Sequence, residues 1–200
     1  MSSITAQITN RIKRKKPGWV FSPKDFLDVG TRAAVDQVLS RLVKQNMIRR
    51  LDRGIYDYPK QSKLLGTLSP TPDNIARAMA SGDQIFPSGA RATNILGLST
   101  QVPAKPSYLT NTTVRRRRVA GYTIQLKRAR VALLSNVPYH ANLALQALSY
   151  LGRNNIDNKI INRCALVLSD KDLAGLHQAM GHIPGWMADT IHKILDIKNG

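Results

Sequence analysis

The sequence predicts an α+β protein: an N-terminal winged helix-turn-helix, then a mixed α/β domain with a helical C-terminal part. Three observations carry this. Trp19 to Tyr58 reads as a short helix, a turn, a longer helix and a two-stranded hairpin. Segments punctuated by Gly and Pro, some alternating in polarity, fill the chain to about residue 130. From Pro138 onward the apolar residues recur at helical spacing. The expected domains are residues 1–60, a linker over 61–71, and residues 72–200.

The elements follow in order. Residues 3–16 form a helix capped by Ser2 or Ser3, with Ile4, Ile8 and Ile12 as its apolar stripe and Pro17-Gly18 as its stop. Arg11, Lys13, Arg14, Lys15 and Lys16 gather at its C-terminal end. There they complement the helix dipole or serve as phosphate contacts. Ser22 caps a short second helix, with Pro23 at its first position, Asp25 at its third and Phe21 and Phe26 spaced as a hydrophobic staple. Gly30 suits a left-handed stop for it. Thr31 caps the next helix, whose stripe is Val35, Val38, Leu39, Leu42 and Val43 and whose stop is Asn46. Met47–Leu51 and Gly54–Tyr58 flank Asp52-Arg53-Gly54 as a hairpin, the wing.

A helix that enters the major groove needs small residues for close approach, donors for base edges and cations for phosphates. The third helix supplies them. Arg32, Ala33 and Gln37 are expected to approach bases. Thr31, Ser40, Arg41 and Lys44, with Arg53 on the wing, are expected to hold the backbone. Asp36 is a poor neighbour for phosphate, and pairs with Arg32 at i,i+4 or accepts from a cytosine amine. The plainer reading of the same residues is an amphipathic helix with a solvated basic face.

Residues 59–71 are expected to be an extended connection. A helix then starts at Thr71-Pro72-Asp73 and reaches Gly82. Ile85-Phe86 is a short strand, and a small helix lies between Ser88 and Gly97. Ser107–Thr110 and Tyr122–Lys127 are strands, with a turn at Ala120-Gly121. Helices are expected near 140–151, 156–167, 170–181 and 186–197.

Charge points to a polyanionic partner. The chain carries 30 Lys and Arg against 12 acidic residues, a net charge of +18, and every acid is Asp. Residues 1–63 hold 14 basic and 5 acidic side chains, residues 105–130 hold 8 basic and none acidic, and residues 131–200 are nearly balanced. Two basic zones suggest two surfaces. The second centres on Arg115, Arg116, Arg117 and Arg118, with Lys127 and Arg128. On a strand such a run alternates sides. It reads as a charged hairpin edge, as a second nucleic-acid contact or as a docking patch for an acidic partner.

Little points to catalysis, a metal or a cofactor, and none is expected. His177 and His182 are five apart, not the i,i+4 of a helical metal pair. Asp196-Ile197-Lys198 resembles a nuclease triplet but has neither a preceding strand nor a second carboxylate nearby. Asp170 and Asp172 read as capping residues. Cys164, the only cysteine, lies in an apolar run, and no disulfide framework is possible within the chain. No signal peptide is expected, and no stretch approaches the about 20 apolar residues of a membrane span. A cytoplasmic protein with no membrane partner is the expectation.

The winged segment, together with Pro87-Ser88-Gly89-Ala90-Arg91-Ala92-Thr93-Asn94-Ile95-Leu96-Gly97-Leu98-Ser99-Thr100-Gln101-Val102-Pro103 and Tyr108-Leu109-Thr110, resembles the AbiEi-type antitoxins of type IV toxin–antitoxin systems in bacteria. The resemblance covers residues 5–130; residues 131–200 carry no motif. It implies that residues 72–200 are an AbiEi-like antitoxin domain. It also implies double-stranded DNA as partner, through inverted repeats in the operon's own promoter. The functional counterpart would be a nucleotidyltransferase-type toxin, opposed without a stable complex. Alternatives are an RNA-binding or general nucleic-acid module, or, less favoured, an enzyme that modifies nucleic acid.

Overall fold

A computed structural model describes residues 3–112 and 114–199. The fold is mixed α and β, and the chain divides into two compact units. The first takes residues 1–84 and 115–126, the second residues 85–114 and 127–200. The chain therefore leaves the second unit at residue 115 and returns at 127. Neither junction coincides with the boundaries expected at 60 and 72.

In the first unit, α1 (Ile4–Lys15) starts at Ser3, whose side chain accepts from the Ala6 N–H. Ser2 lies outside the described residues. Strand β1 (Val20–Phe21) leads into a single 3-10 turn, Pro23–Phe26. Here the sequence promised a short helix. Ser22 stands at the cap and Asp25 at the third position, as expected, with Asp25 accepting from the Ser22 backbone N–H at 2.7 Å and from its hydroxyl at 3.0 Å. Gly30 is not left-handed, so it is no helix stop of that kind. A Cβ there would lie 3.0 Å from Ile4 Cδ1, so the position is restricted by space. Helix α2 (Arg32–Lys44) is capped by Thr31 and ends before Asn46, which is left-handed at φ 56°.

Strands β2 (Arg49–Asp52) and β3 (Ile55–Asp57) form the expected hairpin, with a bulge between Arg50 and Asp52. β1 pairs on the other side of β3, so the sheet order is β1-β3-β2. The core is built from the stripes read in the sequence: Ile8 and Ile12 of α1, Val35, Val38, Leu39 and Leu42 of α2, and the rings of Phe21, Phe26 and Tyr56. The staple pair packs edge to face, with Phe21 and Phe26 centroids 5.5 Å apart.

Residues 61–67 form a small hairpin of β4 (Gln61–Ser62) and β5 (Gly66–Thr67), with Leu64 and Leu65 exposed at its tip. Helix α3 (Pro72–Ala80) is capped by Thr71 and packs on β1 and β3.

The second unit contains β6 (Ile85–Pro87), α4 (Gly89–Ile95) and β7 (Ser107–Thr110), with β6 antiparallel to β7. The excursion to the first unit is a hairpin of β8 (Arg115–Val119) and β9 (Tyr122–Arg128). Both residues of its Ala120-Gly121 turn have positive φ, at 49° and 85°. This matches the twist of a tight hairpin. The last two residues of β9, Lys127 and Arg128, belong to the second unit.

Four helices follow: α5 (Tyr139–Leu151), α6 (Asn158–Val167), α7 (Asp170–Ala179) and α8 (Gly185–Asn199). A 3-10 turn, Met180–His182, follows α7. α5 packs against α4 and α7, and α8 against α6 and α7. α5 is buried nearly all round, from Ala141 to Leu148, and so centres the core of this unit. Asp172 and Ser169 form a capping box for α7, the role read for Asp172. The cap residue itself is Ser169; Asp170 stands at the first helical position.

Candidate nucleic-acid interface

Helix α2 owes its orientation to its stripe. With Val35, Val38, Leu39 and Leu42 buried, the opposite side must face solvent. Thr31, Arg32, Ala33, Gln37, Ser40, Arg41 and Lys44 are all exposed. The structure therefore gathers Ala33, Gln37, Ser40, Arg41 and Lys44 on one open face, with Thr31 and Arg32 exposed at the N-terminal end of the helix. The Thr31 hydroxyl accepts from the Ala34 N–H at 3.4 Å as the cap, which leaves its proton to donate outward. Arg53 is exposed at the β2–β3 turn.

Arg32 and Asp36 form the i,i+4 pair, with Nε donating to Oδ2 at 2.8 Å. The bond occupies one edge of the guanidinium and fixes its direction. The two terminal nitrogens keep donors for an acceptor beyond the helix.

Two further ion pairs set the frame. Arg11 donates to both carboxylate oxygens of Asp28, at 2.8 and 2.6 Å, and to the Asp25 carbonyl at 2.7 Å. Its guanidinium also lies 5.7 Å from the Phe26 ring centre. Hydrogen bonding to Arg11 holds the Asp28 carboxyl below its usual range, and the same bond raises Arg11. Arg11 thus ties α1 to the 3-10 turn, while Lys13, Arg14, Lys15 and Lys16 remain exposed. Across β2–β3, Arg49 donates to the buried Asp57 (Nε–Oδ1 3.0 Å) and to the Leu68 carbonyl at 2.9 Å. The bond to Asp57 raises Arg49 above the ordinary arginine value.

The second basic patch is divided. On β8 the arginines alternate, as the pleat requires. Arg115 and Arg117 sit opposite Leu126 and Ile124; Arg116 and Arg118 sit opposite Gln125 and Thr123. Arg115 donates to the Met79 carbonyl at 3.2 Å, at the end of α3. Arg117 pairs with Asp52 at 2.5 Å and donates to the Arg53 carbonyl at 2.9 Å. The sequence reading found no acid to balance the run nearby. Asp52, far upstream, supplies one. Arg117 therefore braces the β2–β3 turn from which Arg53 projects, while Arg116 and Arg118 stay exposed. Lys127 and Arg128 are exposed too, and line a cleft within the second unit.

This brace gives the first prediction. Arg117→Ala frees the turn and leaves Asp52 uncompensated beside Arg53. The expected result is a Tm lowered by only a few degrees and DNA affinity reduced about fivefold to tenfold, equally on all sequences. Unchanged affinity would show that the turn needs no brace.

The histidines and the Asp196–Lys198 triplet all belong to the second unit. His140, His177, His182 and His192 are all exposed, as are Asp196 and Lys198 of α8. Cys164 is buried, and burial pushes its thiol up to about 11. Among the described residues no three His, Cys, Asp or Glu side chains come together as a metal site. No helix among them is long and apolar enough to cross a membrane.

The sequence model of a family of unknown function, DUF6088, matches residues 7–176. The chain belongs to the DUF6088 family. No curated protein matches the chain. The stretch assigned to the DUF6088 family takes in all of α2, the β2–β3 hairpin, the β8–β9 hairpin and α5.

What the sequence reading missed are long-range partners. Nothing local to Arg117 signals Asp52, and nothing near Met79 signals Arg115. The one available signal was the pleat, which already required that two of the four arginines face away from the other two.

Proposed function

We propose that the first unit is a winged helix-turn-helix that binds double-stranded DNA, with α2 as recognition helix and the β2–β3 hairpin as wing. The observation that carries this is the outer face of α2. It is fully exposed, begins with small Ala33 and a polar cap, ends with Arg41 and Lys44, and is followed by a braced turn bearing Arg53. That order of small, bidentate and cationic residues is what groove entry requires.

The full reading is a cytoplasmic repressor of its own operon that also acts as an antitoxin against a nucleotidyltransferase-type toxin. The autoregulatory part is supported by the α2 face and the basic charge. The antitoxin part is supported by the resemblance of residues 5–130 to the AbiEi-type antitoxins. It implies opposition without a stable complex, checked by whether co-expression restores growth of cells carrying the toxin gene from the same operon.

The deciding experiment is a salt titration of binding to the DNA just upstream of the protein's own gene, against scrambled DNA of equal length. A preference of about 10³ or more at physiological salt supports the repressor. Equal binding with a steep salt slope would replace it with a general polyanion binder.

Arg32 allows a sharper test than its removal alone. Arg32→Ala leaves the Asp36 carboxylate bare on a face that meets phosphate, so it weakens all DNA as well as any particular base contact. Arg32→Ala combined with Asp36→Ala cancels that repulsion. Against Asp36→Ala alone, the double variant is expected to lose about 1–3 kcal/mol of discrimination at one base pair. A loss spread evenly over every sequence would make Arg32 a phosphate contact.

A further inference from the structure

The second unit holds a cationic cleft that the DNA-binding reading does not use. Its volume is about 490 Å³, within the range of small-molecule sites. Lys127, Arg128 and Arg130 line it, with Ser107, Ser149 and Tyr150; no acidic side chain does. Three exposed cations with no acidic side chain among the lining residues favour an anion in the cleft.

The cations are held on a fixed backbone. The Ala129 N–H donates to the Thr110 carbonyl at 2.9 Å, which pins the segment between Arg128 and Arg130 to the end of β7. Just beyond, buried Gln146 donates from Nε2 to the Val131 carbonyl at 3.0 Å. The opposite wall is equally constrained. A Cβ on Gly89 would stand 2.3 Å from Tyr150 Cβ and 2.9 Å from the Gln146 carbonyl, so α4 and α5 touch there with no room to spare. The Ser88 N–H donates to the Ser107 carbonyl at 3.1 Å. The backbone of the site is thus held before any ligand arrives, which lowers part of the cost of binding.

We propose that this cleft binds a nucleoside di- or triphosphate through its phosphates. The guanidinium forks of Arg128 and Arg130, two residues apart, match the charge and geometry of a short phosphate chain. The Ser107 and Ser149 hydroxyls add neutral donors. Tyr150, 57% exposed, offers a ring to the base. A duplex is convex and too wide for such a recess, whereas a single nucleotide fits its volume.

The test is calorimetric titration of the full chain at about 0.15 M salt with ATP, ADP, adenosine and pyrophosphate. The expected order is ATP tighter than ADP, with no heat from adenosine and pyrophosphate weaker than ADP. Arg128→Gln with Arg130→Gln is expected to weaken ATP at least about tenfold at unchanged Tm. Arg116→Gln with Arg118→Gln, and Arg41→Ala with Lys44→Ala, leave ATP binding within about twofold. The last pair keeps the cleft separable from the DNA face. Absence of ATP binding up to about 5 mM would overturn the proposal. So would equal weakening by the β8 pair, which marks diffuse attraction, or pyrophosphate binding as tightly as ADP, which removes the nucleoside from the ligand.

Discussion

Replacing Arg41 and Lys44 together with alanine is expected to weaken duplex binding by about 10² at physiological salt, and to reduce the slope of log affinity against log salt by about two. Both side chains leave the outer face of α2 near its C-terminal end and are exposed. Neither side chain has a hydrogen-bond or ion-pair partner among the described residues. Alanine favours helix at both positions, and the loss of two charges near the helix end costs only a few tenths of a kcal/mol. The effect on DNA is therefore cleanly separated from stability. Each cation that meets a phosphate releases about one counterion, so the slope counts contacts. Fluorescence anisotropy over a salt series, on own-promoter and scrambled duplexes, gives both numbers. A slope equal to that of the unmodified chain would mean that α2 does not face the backbone, and the wing or α1 would become the interface.

The largest stability effect is expected at Asn142. Its side chain is fully buried near the start of α5, where the surrounding core is apolar. Oδ1 accepts from the Leu134 N–H at 3.0 Å, and Nδ2 donates to the Leu134 and Val137 carbonyls at 2.8 and 3.0 Å. One amide thus satisfies three backbone groups of the irregular segment leading into the helix, groups that regular structure would otherwise pair. Asn142→Ala orphans the Leu134 N–H and the Val137 carbonyl and leaves the Leu134 carbonyl only the Val137 N–H at 3.3 Å; the expected cost is about 3 kcal/mol, read as a Tm lower by about 10 °C. A shift near zero would mean that water fills the gap and rebuilds the bonds, and that the clamp is not what orders residues 134–138.

These two sites differ in how far the sequence disclosed them. The outer face of α2 follows from local periodicity: once Val35, Val38, Leu39 and Leu42 turn inward, Gln37, Ser40, Arg41 and Lys44 must turn outward. Caps at Ser3, Thr31 and Thr71 are equally local. Asn142 was invisible because its partners are irregular backbone whose path depends on tertiary packing. Arg117 was legible as charge and as one side of a pleat, but not as the partner of Asp52. Gly30 shows a local rule overridden, since its lack of a side chain serves the nearby Ile4 and not a left-handed turn. The cationic cleft was half legible: Lys127, Arg128 and Arg130 are plain in sequence, but Ser107, Ser149 and Tyr150 join them only through folding.

The interleaving of the chain bears on its synthesis. Nascent domains generally fold as soon as they have emerged, at about 5–20 residues per second. This first unit cannot be completed that early, because β8 and all but the last two residues of β9 are encoded after thirty residues of the second unit. Until Arg117 has left the ribosome, Asp52 has no ion-pair partner and the turn bearing Arg53 lacks its brace. A ribosome halted anywhere before residue 115 would release a head lacking its brace. On the DNA-binding reading proposed above, a message cut short would then yield a weaker binder of DNA than the full chain.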